Sequence, residues 1–549
     1  MSSLSEHRPG VRRELELTPT KGTSMATSPW WQGAVLYQLY VRSWRDSNGD
    51  GYGDINGITQ QLDHLSWLGI DGLWLSPTMP SPDADWGYDV SDYTGVHPEL
   101  GTLGDLDALI AAAGRRGIRV LLDLVPNHTS SAHPWFIDAA SGRDAAHRDY
   151  YVWADPDPGG GPPTNWLDAT GEPAWQWHAA TGQYYLHNFL PAQPDLNWWQ
   201  PAVHAEFRQI LEFWFDRGVA GFRIDVAHGL YKDAELRDNP PLAPPGQTTS
   251  AGSDRLAGRF GQRPVYNANR PETHGVYRDW RKIAESYSPP RLLLGETWTG
   301  DLANLASYYG DDDELQLSFN FPVVFAQFPA ELPDLVDETL AALPTGACPV
   351  WTGSNHDVGR FPSRWCHGDS ACIRLALLIL LTLPGTTVLY YGDEIGMTDV
   401  AVPAELQRDP MTHAGSPQGQ RDRARTPMRW NGAPGGGFTG PTVTPWLPIG
   451  PAAVNVADQR GDPDSVLSLC RRLVELRHAE LGGGIASYRQ LAAAPGIWAY
   501  QTGPLLVAAN LGATRAAMPA EVGQILLRTG PEASGLGPLE GIVARPSSA

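Results

Sequence analysis

Asp225, Glu296 and Asp357 each stand at or just beyond the end of a short apolar run of the kind that makes a buried strand. They close Gly221-Phe-Arg223-Ile-Asp225, Leu292-Leu-Leu-Gly-Glu296 and the stretch from Val350-Trp351 to Asn355-His356-Asp357. A fourth segment, Val120-Leu-Leu-Asp123-Leu-Val-Pro-Asn127-His128, has the same shape. Two carboxyl groups flanking a glycosidic bond can hydrolyse it. At a separation of about 5–5.5 Å, one can attack the anomeric carbon while the other serves the leaving oxygen. A third carboxylate would tighten its hold as the ring flattens toward an oxocarbenium ion, which is differential binding of the transition state. A single acidic residue more often caps a helix or pairs with an arginine, so the weight lies in the repetition of one strand-end context.

These segments lie far apart in the chain. They meet only if their strands are parallel and their C-terminal ends converge on one face, as in a (β/α)8 barrel. The sequence supports that arrangement, because strands and helices alternate from Val35 onward. Strands are predicted at Val35–Val41, Gly72–Leu75, Arg119–Val125, Gly221–Asp225, Leu292–Glu296, Leu315–Asn320, Pro349–Ser354 and Thr387–Tyr391, which is the barrel count. Helices are expected at Ile58–Leu68, Leu106–Arg116 and Ala205–Arg217, with Leu375–Leu383 a buried barrel helix too short to span a bilayer. The alternation breaks after the third strand, where a stretch rich in Gly, Pro, Trp and Asp is too long for an ordinary loop. After about Leu481 short β-like runs such as Ile497–Gln501 and Leu505–Ala509 replace the helices. The predicted fold is therefore an α/β TIM barrel with an inserted subdomain after strand 3 and a small C-terminal β-domain. Its parts are a disordered tail (1–28), the barrel (29–128 and 194–480), the insertion (129–193) and the β-domain (481–549).

In order and wording the four segments resemble the α-amylase family, glycoside hydrolase family 13, over nearly everything from Trp30 to Trp446. The resemblance implies that Asp225 is the nucleophile, Glu296 the general acid/base and Asp357 the transition-state stabiliser. Glu296 must then start protonated, so burial and the anionic Asp225 and Asp357 should raise its pKa. Asp225 must stay ionised, and Arg223, two residues earlier on the same strand, is on the right side to keep it so. Having attacked, Asp225 would form a glycosyl ester, and Glu296 would turn from acid to base.

Two further segments are similar to the α-glucosidase and oligo-1,6-glucosidase branch: Gln193-Pro-Asp-Leu-Asn197 and Arg421-Asp-Arg-Ala-Arg425-Thr-Pro-Met-Arg-Trp430. That branch acts from the non-reducing end of short oligosaccharides. Asp85, in Asp85-Trp-Gly-Tyr88, matches its acidic residue, and Arg421 is the expected cationic partner, with Arg425 the fallback. Together they would hold the terminal 4-hydroxyl and block a longer chain. A buried charged pair rejects a sugar lacking that hydroxyl because it is left unpaired. Tyr88 should stack on the terminal glucose, His128 and His356 should donate to its hydroxyls, and Phe189 should either wall the aglycone side or serve ordinary packing. Val226 matches the residue associated with α-1,6 action, whereas Ala227-His228-Gly229 looks more like enzymes taking α-1,4 or mixed linkages. The 240–270 segment is expected to form a loop over the acceptor side.

Asp46-Ser-Asn48-Gly-Asp50-Gly-Tyr52-Gly-Asp54 resembles the first half of an EF-hand loop. Its side-chain oxygens and the Tyr52 carbonyl suit a structural Ca²⁺, although the closing Glu of an EF-hand is absent. The alternative is a plain Asp/Asn/Gly turn. No phosphate loop or dinucleotide fingerprint occurs, so no organic cofactor is expected. With 61 acidic against 40 basic residues and a net charge of −21, the chain is unsuited to nucleic acid or anionic membranes. The expected partner is a small oligosaccharide or α-glucoside, with some of the 21 Trp residues stacking on sugar. Cys348, Cys366, Cys372 and Cys470 show no metal spacing and read as reduced, mostly buried thiols in a cytoplasmic protein, with a disulfide open but not suggested by the spacing. Two other functions share much of this wording: a trehalose synthase, which isomerises maltose, and a non-catalytic barrel scaffold. The second would be expected to have lost one of the three carboxylates.

Overall fold

A computed structural model describes residues 28–242, 261–413, 420–531 and 534–547. The expected tail, apart from residue 28, and most of the 240–270 segment lie outside the described residues. Eight parallel strands form one sheet: β1 (Val35–Leu39), β2 (Gly72–Leu75), β3 (Arg119–Leu124), β4 (Gly221–Ile224), β5 (Leu292–Gly295), β6 (Leu317–Ser318), β7 (Val350–Trp351) and β8 (Thr386–Tyr390). Their order is β7-β8-β1-β2-β3-β4-β5-β6, which is sequence order wrapped into a ring. The remaining seam is stapled by Tyr309. Its hydroxyl donates to the Cys348 carbonyl ahead of β7 (2.9 Å) and accepts from the Ser318 N–H of β6 (3.1 Å).

Strand periodicity sorts the core into two shells. Leu36, Trp74, Leu121, Leu292, Leu294, Leu317, Val350 and Val388 form an inner cluster. Their neighbours Val35, Tyr37, Leu73, Leu75, Val120, Leu122, Leu293 and Leu389 pack outward against the helices. Both faces are thus covered, which is why these strands are near-continuous apolar runs rather than alternating ones. Glycine is required at Gly221, where a Cβ would collide with the Leu292 carbonyl of the neighbouring strand.

Three local departures from expectation have physical causes. The helix expected at Ile58–Leu68 is two helices, Ile55–Gln60 and Leu62–Leu68. Asp54 starts the first early by accepting from Gly57 N–H, and Gln61 leaves helical geometry between them. The sixth strand is shorter than predicted because Asn320 turns to cap the helix Phe321–Val324. The seventh is cut at Trp351, where Thr352 and Ser354 hydrogen-bond to each other across a tight turn.

Between β3 and β4 the chain makes the helix Pro134–Ser141 and a small antiparallel sheet of Trp153–Ala154, Gln183–Leu186 and Trp175–His178. Trp166, Ala174, Trp175 and Leu186 give this excursion a core of its own. After the helix Val466–Glu480 the chain forms a five-stranded antiparallel sheet. The apolar run at Leu375–Leu383 falls largely in the helix Ser370–Thr382, wedged between barrel and C-terminal sheet, where Thr382 meets Tyr500. No described helix is long and apolar enough to cross a membrane.

The cysteine reading needs one correction. Cys366 and Cys372 form a disulfide, while Cys348 and Cys470 are buried free thiols. The chain turns back through Gly368, at φ +79°, and brings the two Cα atoms to 5.3 Å. Nothing in the spacing signalled that turn.

His133 caps the helix Pro134–Ser141, its Nδ1 accepting from Trp135 N–H. Burial pushes this imidazole down to about 4. The unfolded chain therefore binds the extra proton between about pH 6.5 and 4, so stability contributed by the neutral ring is lost as pH falls through that window. The expected loss is about 1.4 kcal/mol per pH unit, up to roughly 3 kcal/mol in all. His133→Asn, which keeps a capping acceptor without the titration, should flatten the dependence of denaturant-unfolding free energy on pH by about one proton across that window. An unchanged slope would show that His133 does not contribute.

Candidate active site

The C-terminal ends of β2, β3, β4 and β5, with the loops after β7 and β8, converge on one cavity of about 1330 Å³ including its mouth. Asp85, Tyr88, His128, Phe189, Asp225, Glu296, Asp357 and Arg421 all line it. Arg223 and His356, also singled out from the sequence, are absent from this lining and stand behind it.

Arg223 is the hub. Its Nη1 donates to Asp225 (2.7 Å) and Asp123 (2.7 Å), and its Nη2 pairs with Glu296 (2.6 Å). All four groups are buried. One cation is thus shared among three buried carboxylates. Burial pushes Asp123 up to about 7 against the pull of Arg223. It also drives Asp225 well above the usual carboxylate range, with Glu296, Asp123 and Asp357 adding repulsion that Arg223 only partly offsets. Arg223 thus pairs with Asp225, the contact the sequence led one to expect, while burial and the neighbouring carboxylates work against the charge on Asp225. Glu296 is held differently. Its Oε2 accepts from Val226 N–H (3.0 Å), and its Oε1 accepts from the Trp298 indole (2.9 Å) as well as from Arg223.

Asp357 faces two guanidiniums, Arg421 Nη1 and Arg425 Nη2, each 3.1 Å away. Burial opposes its ionisation, but His356 and the two arginines overrule it and hold the carboxyl below the usual range. His356 itself is driven well below the ordinary imidazole value by burial, against the pull of Asp357, so the arginines supply the charge at neutral pH. The His356 ring stacks on Tyr88 at 5.3 Å, its Nε2 meeting the Tyr88 hydroxyl and Asp357, and its Nδ1 meeting Gln38. His356 thus braces both Tyr88 and Asp357.

At the closed end Arg421 Nη2 donates to Asp85 at 2.7 Å. Arg421, not Arg425, meets Asp85; Arg425 instead spans Asp357 and the His356 carbonyl. The loop carrying Asp85 winds around Asp89, whose carboxylate accepts from Ser81, Ala84 N–H and Asp85 N–H. Gln193 reaches both Asp85 (3.3 Å) and His128 (3.1 Å), while Asp195 is anchored by Lys232 (2.8 Å) and Asn188. Hence the Gln-Pro-Asp-Leu-Asn segment ties the inserted subdomain to the cavity wall. Phe189 sits against the His128 ring at 5.2 Å.

Four contributors had no role assigned from sequence: Asp123, Asp409, Gln193 and Trp298. Asp409 accepts from Arg421 through Nε (3.0 Å), Nη2 (2.8 Å) and the backbone N–H (2.9 Å), fixing the guanidinium. Asp123 and Gln193 lay inside segments already quoted, so their positions were the available signal. Asp409 and Trp298 had none beyond residue type.

The Asp46–Asp54 loop folds as a chain of Asx turns. Asp46 Oδ1 accepts from Asn48 and Gly49 N–H, Asn48 Oδ1 from Asp50 N–H, and Asp50 Oδ1 from Tyr52 N–H. This all-oxygen donor set fits a hard cation. Asp54 fits less well, because its two oxygens serve Ser47 and the N-terminus of Ile55–Gln60.

Known proteins share this architecture. The α-amylase catalytic domain matches residues 38–482. A probable α-glucosidase of Rhizobium meliloti is 41% identical over 477 residues, 84% of this chain and 86% of its own length. An oligo-1,6-glucosidase of Heyndrickxia coagulans is 36% identical, covering 82% and 85%. Among solved structures, the α-glucosyl transfer enzyme XgtA superposes with TM-score 0.86 at 37% identity, covering 94% of this chain and 100% of its own. The trehalulose synthase MutB of Pseudomonas mesoacidophila does so with TM-score 0.84 at 30% identity, covering 95% and 100%. With the catalytic-domain match spanning most of the barrel and the carboxylates gathered at its C-terminal end, the chain belongs to the α-amylase family of glycoside hydrolases.

Proposed function

We propose that this enzyme is a retaining, exo-acting α-glucosidase that releases α-glucose from the non-reducing end of short α-glucosides and also transfers glucose. The observation that carries the reading is the Arg421–Asp85 pair beside the three carboxylates. It supplies buried charged groups for a terminal 4-hydroxyl and occupies the space through which a longer chain would continue. Asp225 attacks the anomeric carbon as Glu296 protonates the leaving oxygen, giving a glucosyl ester. Glu296 then takes a proton from water or a sugar hydroxyl, which displaces Asp225. Arg223, one hydrogen bond from both carboxylates, keeps the two close, as a double displacement requires. Asp357, held ionised by Arg421 and Arg425, stabilises the positive ring at the transition state. Tyr88 and His128 shape the glucose site, and Val226 and His228 border the aglycone and bear on linkage. The relatives named as a probable α-glucosidase and an oligo-1,6-glucosidase are consistent with the reading.

The test is product analysis by chromatography and NMR after separate incubation with maltose, isomaltose, sucrose and a long maltooligosaccharide. Early α-glucose from the short substrates supports the proposal. Trehalose from maltose without net glucose would make the enzyme an isomerase instead.

We further assign a structural Ca²⁺ to Asp46, Asn48, Asp50 and the Tyr52 carbonyl, with Asp54 closing the set. Bound there, the ion would neutralise the loop's carboxylates and pin it to Thr439, whose hydroxyl already meets Asp46. Saturating Ca²⁺ after EDTA treatment should raise Tm by a few degrees. Asp46→Ala should abolish that response, and an unchanged Tm in the unsubstituted protein would refute the site. The net charge of −21 suits a cytoplasmic enzyme handling uncharged sugars. The Cys366–Cys372 bridge is the feature that favours an oxidising compartment, and cell fractionation decides between them.

A further inference from the structure

Trp298 follows Glu296 by two residues beyond β5, so both side chains face the cavity. Its indole N–H donates to Glu296 Oε1 at 2.9 Å, and its ring packs on Phe321 (4.3 Å) and Phe325 (5.6 Å). The opposite oxygen of Glu296 is held by Val226 N–H, on a backbone turned to φ +45°. A β-branched residue adopts that conformation only at a cost. Strand-end packing alone would not need either donor aimed at the carboxylate. Together they hold Glu296 through both of its oxygens.

We infer that Trp298 is a positioning residue whose indole N–H aims the Glu296 carboxyl at the leaving-group oxygen, with Val226 N–H as its counterpart on the other oxygen. This rests on Glu296 being the acid/base of the reading above. In the first step the Glu296 proton passes to the glycosidic oxygen as the bond to the anomeric carbon breaks and Asp225 bonds to that carbon. In the second, water or a sugar hydroxyl returns a proton to Glu296 as the ester opens. The aim of the carboxyl matters most where the leaving group is a poor one.

Trp298→Phe keeps an aromatic ring against Phe321 and Phe325 and deletes the donor. Its kcat/KM for maltose should fall about 10- to 100-fold. For 4-nitrophenyl α-glucoside, whose leaving group needs little protonation, the fall should be under about 3-fold. The groups facing Glu296 are Arg223, Asp225 and Asp123 from β3 and β4, and His228 beside them. All are unchanged in the variant, so loss of a donor to the carboxylate should move the alkaline limb of kcat/KM for maltose upward by about half to one pH unit. Equal losses on both substrates with an unmoved limb would overturn the inference and leave Trp298 as a wall of the aglycone site. Glu296→Gln separates the two levels. If it too shows no leaving-group discrimination, the acid/base assignment itself fails. If it discriminates strongly and Trp298→Phe does not, only the role of Trp298 fails.

Discussion

Asp225→Asn should lower kcat/KM for maltose by on the order of 10⁴-fold or more, with the fall in kcat. That corresponds to about 5.5 kcal/mol of lost transition-state stabilisation. The amide is isosteric and can still accept from Arg223, so sugar binding survives while the nucleophile does not. Folding should survive as well. The folded pKa of Asp225 lies above its unfolded value, so as an ionised group it subtracts stability as pH rises from its unfolded pKa through its folded one. A neutral amide removes that penalty, and Tm at neutral pH should hold or rise. Losing activity while gaining stability is what a functional carboxylate does and a structural one does not. The retaining course can be read on the smaller variant Asp225→Gly, where azide can enter the vacated face. The product expected from an activated α-glucoside is β-glucosyl azide. Glu296→Gly with azide should give the α-anomer instead. If Asp225→Asn keeps more than a few per cent of wild-type kcat, the nucleophile assignment is wrong.

The barrel could be read from the chain because parallel strands buried on both faces must be nearly continuous apolar runs: β5 is one throughout, and β1, β3 and β8 are broken only by Gln38, by Arg119 and Asp123, and by two leading threonines. The site was legible to the extent that its residues terminate those runs: Asp225 and Glu296 follow β4 and β5 directly. What escaped has a common cause. Asp409 meets Arg421 only because the loop after β8 folds back, and no periodicity encodes that contact. The Cys366–Cys372 bridge likewise depends on one left-handed turn at Gly368. The stacking of His356 on Tyr88 was not legible either, because adjacency to Asp357 in sequence does not say what the ring packs against. The electrostatics were hardest. From sequence, Arg223 has one evident partner two residues away, and only the closed barrel shows that it serves Asp123, Asp225 and Glu296 at once.

The closed end of the cavity should respond in chain-length preference as well as in rate. Asp85→Asn leaves Arg421 paired with Asp409 and Asp357, so the guanidinium stays in place and Tm should change little. The lost interaction is a charged, buried one at the terminal sugar, where truncating one partner costs about 2–5 kcal/mol. For maltose, kcat/KM should therefore fall about 10²- to 10³-fold. Arg421→Lys is the sharper variant, because a point charge with rotatable donors cannot reproduce a fork that meets Asp85, Asp409 and Asp357 together. It should lose activity to a similar degree and also lower Tm, since buried Asp409 loses both side-chain donors of Arg421 and Asp357 is left with Arg425 as its one guanidinium partner. Neither variant should slow a long maltooligosaccharide as much as maltose, because added subsites on the aglycone side supply binding that the terminal hydroxyl no longer does. A ratio of long-chain to maltose kcat/KM that rises at least several-fold in both variants identifies the pair as the stop at the non-reducing end. A ratio unchanged in both means that the pair only braces the loop after β2, and exo action must then be set by another part of the wall.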